Sequence, residues 1–325
     1  MNLQEIEKHI ALPLQHFHEA CDKMMDSQVP IIRNINRQLL THNGKQLRPL
    51  LTLLSACCCG FPLHAEADHP LFAVSAAIET LHNATLIHDD VVDESDTRRG
   101  QPTVNSQWSN KIAVLVGDYY LAQVMLTINA ANKPEVTQII NRTVIDMTEG
   151  ELLQQECCGH YDIGEETYNS IIRKKTACFM AACCETGAIF ATDDEAIRHA
   201  ARDFGEHIGM AFQLRDDLRD YLPTSVTGKP QGNDLREHKA TLPLILAMRH
   251  ADSHTKKEIS SLLGQTHLDD SDIDRLTTMI ATPAMMDVAR QHLNAELEKA
   301  RQSARQLPDN GYRDDLMQLI LMLQE

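Results

Sequence analysis

The sequence predicts an all-α fold, and three observations carry that expectation. Apolar residues recur at helical spacing along most of the chain. Aromatic residues, which favour strands, are only 4% of the composition, and no alternating run of Val, Ile and Thr reads as a strand. The prolines fall mostly where helices should start or stop. The first helix is expected over 2–24, and Pro30 opens the second, 29–42. The third, 47–59, ends before Gly60 and Pro62, and Pro70 opens the fourth, 71–94. A polar piece around Pro102 separates it from 109–131, and Pro134 begins 134–157. No proline lies between Pro134 and Pro223, leaving room for 165–190 and 193–222. The turn formers of 223–238, PTSVTGKPQGNDLREH, make one long irregular segment, of the kind that often carries function. Helices over 240–250, 254–263, 270–281, 284–306 and 312–324 complete the chain, the last two flanked by Pro283, Pro308 and the Asn310-Gly311 pair.

The length of 325 residues suggests two domains at roughly 150 residues each. No internal repeat or low-complexity tract divides it, so one helical domain over 1–325 is expected. The net charge of −16 argues against a cationic face for nucleic acid. Any anionic ligand must then be met by local, deliberate cations. Nine Cys, several adjacent, form no disulfide framework and read as small buried thiols of a reducing compartment. The start, MNLQEIEKHI, has no targeting pattern, and the apolar stretch from Leu50 is too short to cross a bilayer. A cytoplasmic protein without a transmembrane segment is expected.

Two segments concentrate carboxylates. In LIHDDVVDESDTRRG, Asp89 and Asp93 share a helix face and Asp90 lies about 100° round the axis. In GMAFQLRDDLRD, Asp216, Asp217 and Asp220 repeat the spacing. Acids at a helix C-terminus repel one another and oppose the macrodipole. One such cluster reads equally well as a solvated helix end, whereas two, each closing a long apolar helix, are hard to assign to chance. Oxygen ligands at this density suit Mg²⁺, which bridges carboxylates to substrate phosphates. Cations surround these clusters in sequence: Lys45 and Arg48 in GKQLRP, Arg98 and Arg99, Lys174 and Lys175, Lys229, and Lys239. Each alone reads as a surface charge, and their joint placement is what informs.

With these motifs in place, the chain resembles the trans-polyprenyl diphosphate synthases over residues from about 40 to 250. The matching stretches are GKQLRP, ETLHNATLIHDDVVDESDTRRGQPTVN, VGDYYLA, EGELLQ, KKTACF, GMAFQLRDDLRDY and GKPQGNDLREHKATLP. The resemblance implies a single antiparallel helical bundle around a deep central cavity, the isoprenoid synthase type, assembled as a homodimer. It implies an isopentenyl diphosphate site at Lys45, Arg48, His82 and Arg99. It implies that Asp89, Asp90, Asp93, Asp216, Asp217 and Asp220 grip an allylic diphosphate through several Mg²⁺ ions, with Mn²⁺ a possible substitute. Arg98, Lys175, Lys229 and Lys239 would touch that diphosphate, and Thr176 and Gln213 would aim oxygen dipoles at the allylic cation. Residue 238 is His where the family usually has Gly.

The resemblance also bears on product length. A growing chain would start at Asp89 and run toward the N-terminus of its helix, so Thr85 and Ala84, roughly 6–7.5 Å below, are the first floor. Short-chain members typically place an aromatic there or two extra residues in the first acidic motif, and this sequence has neither. Leu81, Ala77 and Val74 are not aromatic either, so a medium-to-long all-trans product of about C30 to C50 is expected. Tyr119, Tyr120 and Met125 are the residues that would close the tunnel from the opposite wall. The alternatives are a short-chain farnesyl or geranylgeranyl diphosphate synthase and a non-catalytic partner subunit. A di-iron carboxylate bundle needs Glu-x-x-His on two helices, and Glu66-x-x-His69 abuts Pro70. A class I terpene cyclase would have no use for Lys45, Arg48 and Arg99.

Overall fold

The computed structural model describes residues 3–41, 44, 46–98, 100–223, 225 and 231–324. Among them the protein is all-α, with one two-residue hairpin. The chain forms two compact units: residues 1–140, 183–198 and 308–316, and residues 141–182, 199–307 and 317–325.

In the first unit, the expected helix 2–24 is two helices, α1 (Leu3–His9) and α2 (Ala11–Met24), parted at Ile10. The cause is Pro13, which is tolerated only in a first helical turn. α3 (Pro30–Thr41) and α4 (Leu47–Cys58) follow, and α5 (Pro70–Val92) runs through the core. His69 Nδ1 accepts the Leu71 N–H at 3.2 Å, and Pro70 occupies the first turn, so the start of α5 is set locally. The linker after α5 holds a hairpin, β1 (Thr97–Arg98) with β2 (Gln101–Pro102), and the single-turn α6 (Val104–Gln107). α5 packs against α2, α4 and α7 (Asn110–Ala130). Gly117 leaves room for the His88 ring, whose Nε2 would lie 2.1 Å from a Cβ there.

By length and composition α7 is long and apolar enough to cross a membrane, whereas the helix that contains Leu50 is too short. Ala113, Val116, Tyr120, Val124 and Ile128 place one of its faces in the core. Its other face leaves Val114, Leu115, Met125 and Leu126 exposed by 41%, 54%, 58% and 68%.

The second unit contains most of α8 (Pro134–Glu156), then α9 (Glu165–Ile172), a π-helical turn at Arg173–Ala177 and the start of α10 (Cys178–Ile189). The expected helix 165–190 therefore carries one widened turn, at the KKT motif. α11 (Glu195–Asp220) is the long acidic-ended helix, and a single turn α12 (Asn233–Arg236) lies within the segment expected to be irregular. α13 (Leu242–His250) packs against α9, α14 (Ser253–Leu263), α15 (Asp270–Ile280) and α16 (Pro283–Ala304). α17 (Gly311–Gln324) closes the chain. His207 Nδ1 lies 2.8 Å from Glu296 Oε2 and ties α11 to α16.

None of the nine cysteines is in a disulfide, and six of them are buried. Burial pushes the Cys57, Cys58 and Cys59 thiols up to about 12, so they are neutral packing groups. Cys157, Cys158 and Cys178 are only half-buried, which corrects the reading of all nine as core residues.

Candidate active site

The first carboxylate cluster closes α5. Asp89 is half-buried, Asp90 is buried and Asp93 is exposed, the position of each following from the helix pitch. Arg98, carried by the hairpin, donates from Nε to Asp90 Oδ1 at 2.7 Å. Burial raises the Asp90 carboxyl, and the Arg98 guanidinium pulls it back. The backbone is tied as well: Ser95 N donates to Asp90 O at 2.9 Å, and Asn105 Nδ2 bridges Asp90 O and Ser95 O at 3.2 and 3.1 Å. The hairpin is thus fastened to the acidic helix end, and Gly100 has the positive φ that favours glycine.

Along α5, the positions less than fully buried include His82, Thr85, Leu86 and Asp89, a single stripe. Thr85 Oγ1 donates to His82 O at 2.8 Å. Ala84 is fully enclosed, in a cluster with Met25, Ile35, Ile87, Val116 and Tyr120. Tyr120 donates from its hydroxyl to Asn36 Oδ1, and Asn36 Nδ2 donates to Met25 O, so the cluster contains a satisfied polar tie. Arg48 stands in the first turn of α4, with its charge near Cys183. Lys45, Arg99 and Lys229 lie outside the described residues.

The second cluster closes α11. Asp216 is exposed, Asp217 is buried and Asp220 is half-buried. Tyr168 donates to Asp217 Oδ2 at 2.6 Å and Gln213 Nε2 donates to Asp217 Oδ1 at 2.8 Å. Thr176 Oγ1, from the π turn, donates to Gln213 Oε1 at 2.9 Å. This relay fixes the amide of Gln213 with its oxygen toward Thr176, so the two oxygens that the sequence pairs are brought together. Asp220 accepts the Asn233 and Asp234 N–H groups at 3.0 and 3.1 Å. Burial above all, then the neighbouring carboxylates, pushes Asp217 and Asp234 well above the carboxylate range. Asp220 is raised by burial too, against its two backbone donors.

This end of α11 holds more negative charge than burial tolerates, a setting that favours a divalent cation. Among the described residues, no three His, Cys, Asp or Glu side chains form a ready metal cage.

Three lysines of this unit are met by acids. Lys174 pairs with Glu149, Lys175 with Glu151 and Lys239 with Glu237. Burial alone would raise Glu151, but Lys175, Gln155 and Lys239 together hold it below its usual range. Gly150, between the two glutamates, allows α8 to touch the π turn, since a Cβ there would lie 2.7 Å from Lys175 N. A π turn commonly marks a functional position, and here it carries Lys174, Lys175 and Thr176.

Sequence reasoning had no role for Tyr168, Glu151 or Asp234. The EGELLQ and GND stretches were the available signals for the last two. Nothing near Tyr168 signalled its bond to Asp217, 49 positions away.

Residues 29–280 match the family model described as Polyprenyl synthetase. The chain belongs to the polyprenyl synthetase family. It is 33% identical over 322 residues to the all-trans-nonaprenyl-diphosphate synthase (geranyl-diphosphate specific) of Rhodobacter capsulatus, covering 97% of this chain and 96% of that protein. The crystal structure of a decaprenyl diphosphate synthase from Rhodobacter capsulatus matches with a TM-score of 0.93 and 31% identity, covering 99% of this chain and 98% of that one. A polyprenyl synthase from Caulobacter crescentus CB15, complexed with calcium and isoprenyl diphosphate, matches with a TM-score of 0.91 and 32% identity, covering 100% and 98%. The fold is the all-helical isoprenoid synthase fold of these enzymes, and the polyprenyl synthetase family member described here is a prenyltransferase.

Proposed function

We propose that this enzyme condenses isopentenyl diphosphate with an allylic prenyl diphosphate, in the presence of Mg²⁺, to make an all-trans polyprenyl diphosphate of about C30 to C50. The observation that carries the reading is the pair of carboxylate clusters, each closing a long helix and each joined to its own cation or hydroxyl network. Both clusters serve one allylic diphosphate. Mg²⁺, when bound, supplies electrostatic stabilisation of the leaving diphosphate. Asp89, Asp90, Asp93, Asp216, Asp217 and Asp220 would hold it, Asp93 and Asp216 being the exposed ones.

The residues of the chain do the rest. Arg98, Lys175, Lys229 and Lys239 bind the allylic diphosphate as its C–O bond breaks, opposing the charge that develops on the departing oxygen. To do so Arg98, Lys175 and Lys239 exchange Asp90, Glu151 and Glu237 for phosphate oxygens. Thr176 and Gln213 turn lone pairs toward the allylic cation. Lys45, Arg48, His82 and Arg99 hold isopentenyl diphosphate, whose C4 forms the new C–C bond. The released diphosphate accepts the proton lost in that step.

The two diphosphate sites separate kinetically. Arg48→Ala and Arg99→Ala are expected to raise chiefly the KM for isopentenyl diphosphate, and Lys229→Ala and Lys239→Ala that for the allylic substrate. Loss of one charge-assisted contact corresponds to about tenfold or more. Steady-state kinetics with each substrate varied in turn checks this, and equal effects on both substrates would refute the partition.

A homodimer and a cytoplasmic location complete the reading. Val114, Leu115, Met125 and Leu126 form one exposed apolar face on α7, larger than a solvated helix needs. In a symmetric dimer each residue is buried twice, at roughly 1.5–3 kcal/mol per fully buried large side chain. Leu115→Asp with Leu126→Asp is therefore expected to convert a dimer to a monomer in sedimentation at micromolar concentration. A wild-type chain that already sediments as a monomer would contradict the assignment.

A further inference from the structure

The segment Cys157-Cys158-Gly159-His160-Tyr161 follows α8 and has no part in the chemistry above, yet it grips the backbone next to Lys239. α12 ends in a Schellman cap: His238 N donates to Leu235 O at 3.1 Å and Lys239 N donates to Asp234 O at 2.8 Å. The residue between these bonds and the helix must enter the left-handed region, which favours glycine. Here it is His238, with φ +55°. The direction in which Lys239 leaves the cap depends on that conformation being kept.

Three contacts keep it. Cys158 Sγ donates to Glu237 O at 3.3 Å, and Gly159 N donates to His238 O at 3.2 Å. The Tyr161 hydroxyl lies 3.0 Å from His238 Nδ1 and donates to Leu263 O at 3.3 Å. A phenol has one proton, and the Leu263 carbonyl can only accept. Both bonds therefore form together only when His238 Nδ1 carries a proton and donates it to the Tyr161 oxygen. The side chain that makes the cap strained is thus also the handle by which it is held.

We propose that Tyr161 is a positioning residue of the diphosphate site, acting through the Nδ1–H of His238 to hold the left-handed cap that aims Lys239. The proposal rests on the reading of Lys239 as an allylic diphosphate contact. Glycine at 238 would hold the same cap by its own conformational freedom and would make the tyrosine hydroxyl dispensable.

The test is a double-variant cycle with NMR of ring-¹⁵N-labelled histidine, the His238 signals being assigned by their loss in His238→Gly. Tyr161→Phe is expected to raise the KM for the allylic diphosphate about three- to tenfold, the loss of one hydrogen bond, with little change in kcat or in the KM for isopentenyl diphosphate. His238→Gly is expected to stay close to wild type, and Tyr161→Phe to be silent in that background. The His238 ring is expected as the Nδ1–H tautomer in the wild type and to lose that preference in Tyr161→Phe. An equal rise of KM in both backgrounds, no rise in either, or an Nε2–H tautomer in the wild type would overturn the proposal. Failure of the underlying reading looks different: Lys239→Ala would then leave the allylic KM unchanged while the tautomer signature persists.

Discussion

Asp89→Ala and Asp216→Ala are each expected to lower turnover by several orders of magnitude without unfolding the protein. The size of the effect follows from the chemistry: a diphosphate leaves with its full charge, and the groups that neutralise it act only as that charge develops. The choice of residues follows from the structure. Asp216 is exposed, so its removal leaves no cavity in the core. Asp217 would be a poor test, because Tyr168 and Gln213 both donate to it. Asp217→Ala would leave both unsatisfied, at about 1–3 kcal/mol of stability each, and loss of activity would be confounded with loss of fold. Chelation with EDTA is expected to abolish the activity and Mg²⁺ or Mn²⁺ to restore it. Circular dichroism and thermal melting are the controls. An Asp216→Ala enzyme with near-native condensation would remove the second cluster from the mechanism.

The second large effect is on product length. Thr85 belongs to the open stripe of α5 beneath Asp89, and no aromatic side chain stands there. Thr85→Phe is expected to shorten the product to about C15–C20, since the ring would sit roughly 6 Å along the helix from Asp89. Ala84→Tyr is expected to shorten it too, but at a cost. Ala84 is fully buried in a cluster that includes Met25, Ile35, Ile87, Val116 and Tyr120, and overpacking such a site typically costs about 1–3 kcal/mol. The same change in length from both variants, with a lower melting temperature only for Ala84→Tyr, is the expected result. Chromatographic sizing of the dephosphorylated products reads it, and unchanged products from both variants would refute this floor.

The helices were legible because proline and apolar periodicity act locally. Pro70, Pro134 and Pro283 each open the helix expected of them. The break at Ile10 was also latent in Pro13, although periodicity alone runs through it. The π turn at Arg173–Ala177 was not legible, since it answers to contacts such as Gly150 against Lys175 rather than to its own sequence. The short hairpin at Thr97–Arg98 and Gln101–Pro102 escaped because two-residue strands have no period.

The candidate site divides in the same way. The two Asp clusters and the Lys and Arg motifs lie within short windows and announce themselves by density. Their partners lie far away in the chain: Tyr168 for Asp217, Glu151 for Lys175, Tyr161 for His238. Those pairings depend on how helices meet, and no local pattern encodes them. His238 is the intermediate case, where the sequence marked an unusual residue and the left-handed cap explains what its side chain must do.

The most direct measurement incubates the purified enzyme with Mg²⁺, isopentenyl diphosphate and, in separate reactions, dimethylallyl, geranyl and farnesyl diphosphates, and sizes the products. The expected result is Mg²⁺-dependent elongation to an all-trans chain of about C30 to C50. Elongation that halts at about C15 or C20 would contradict the reading of the tunnel floor, and no condensation with any of the three allylic substrates would contradict the function itself.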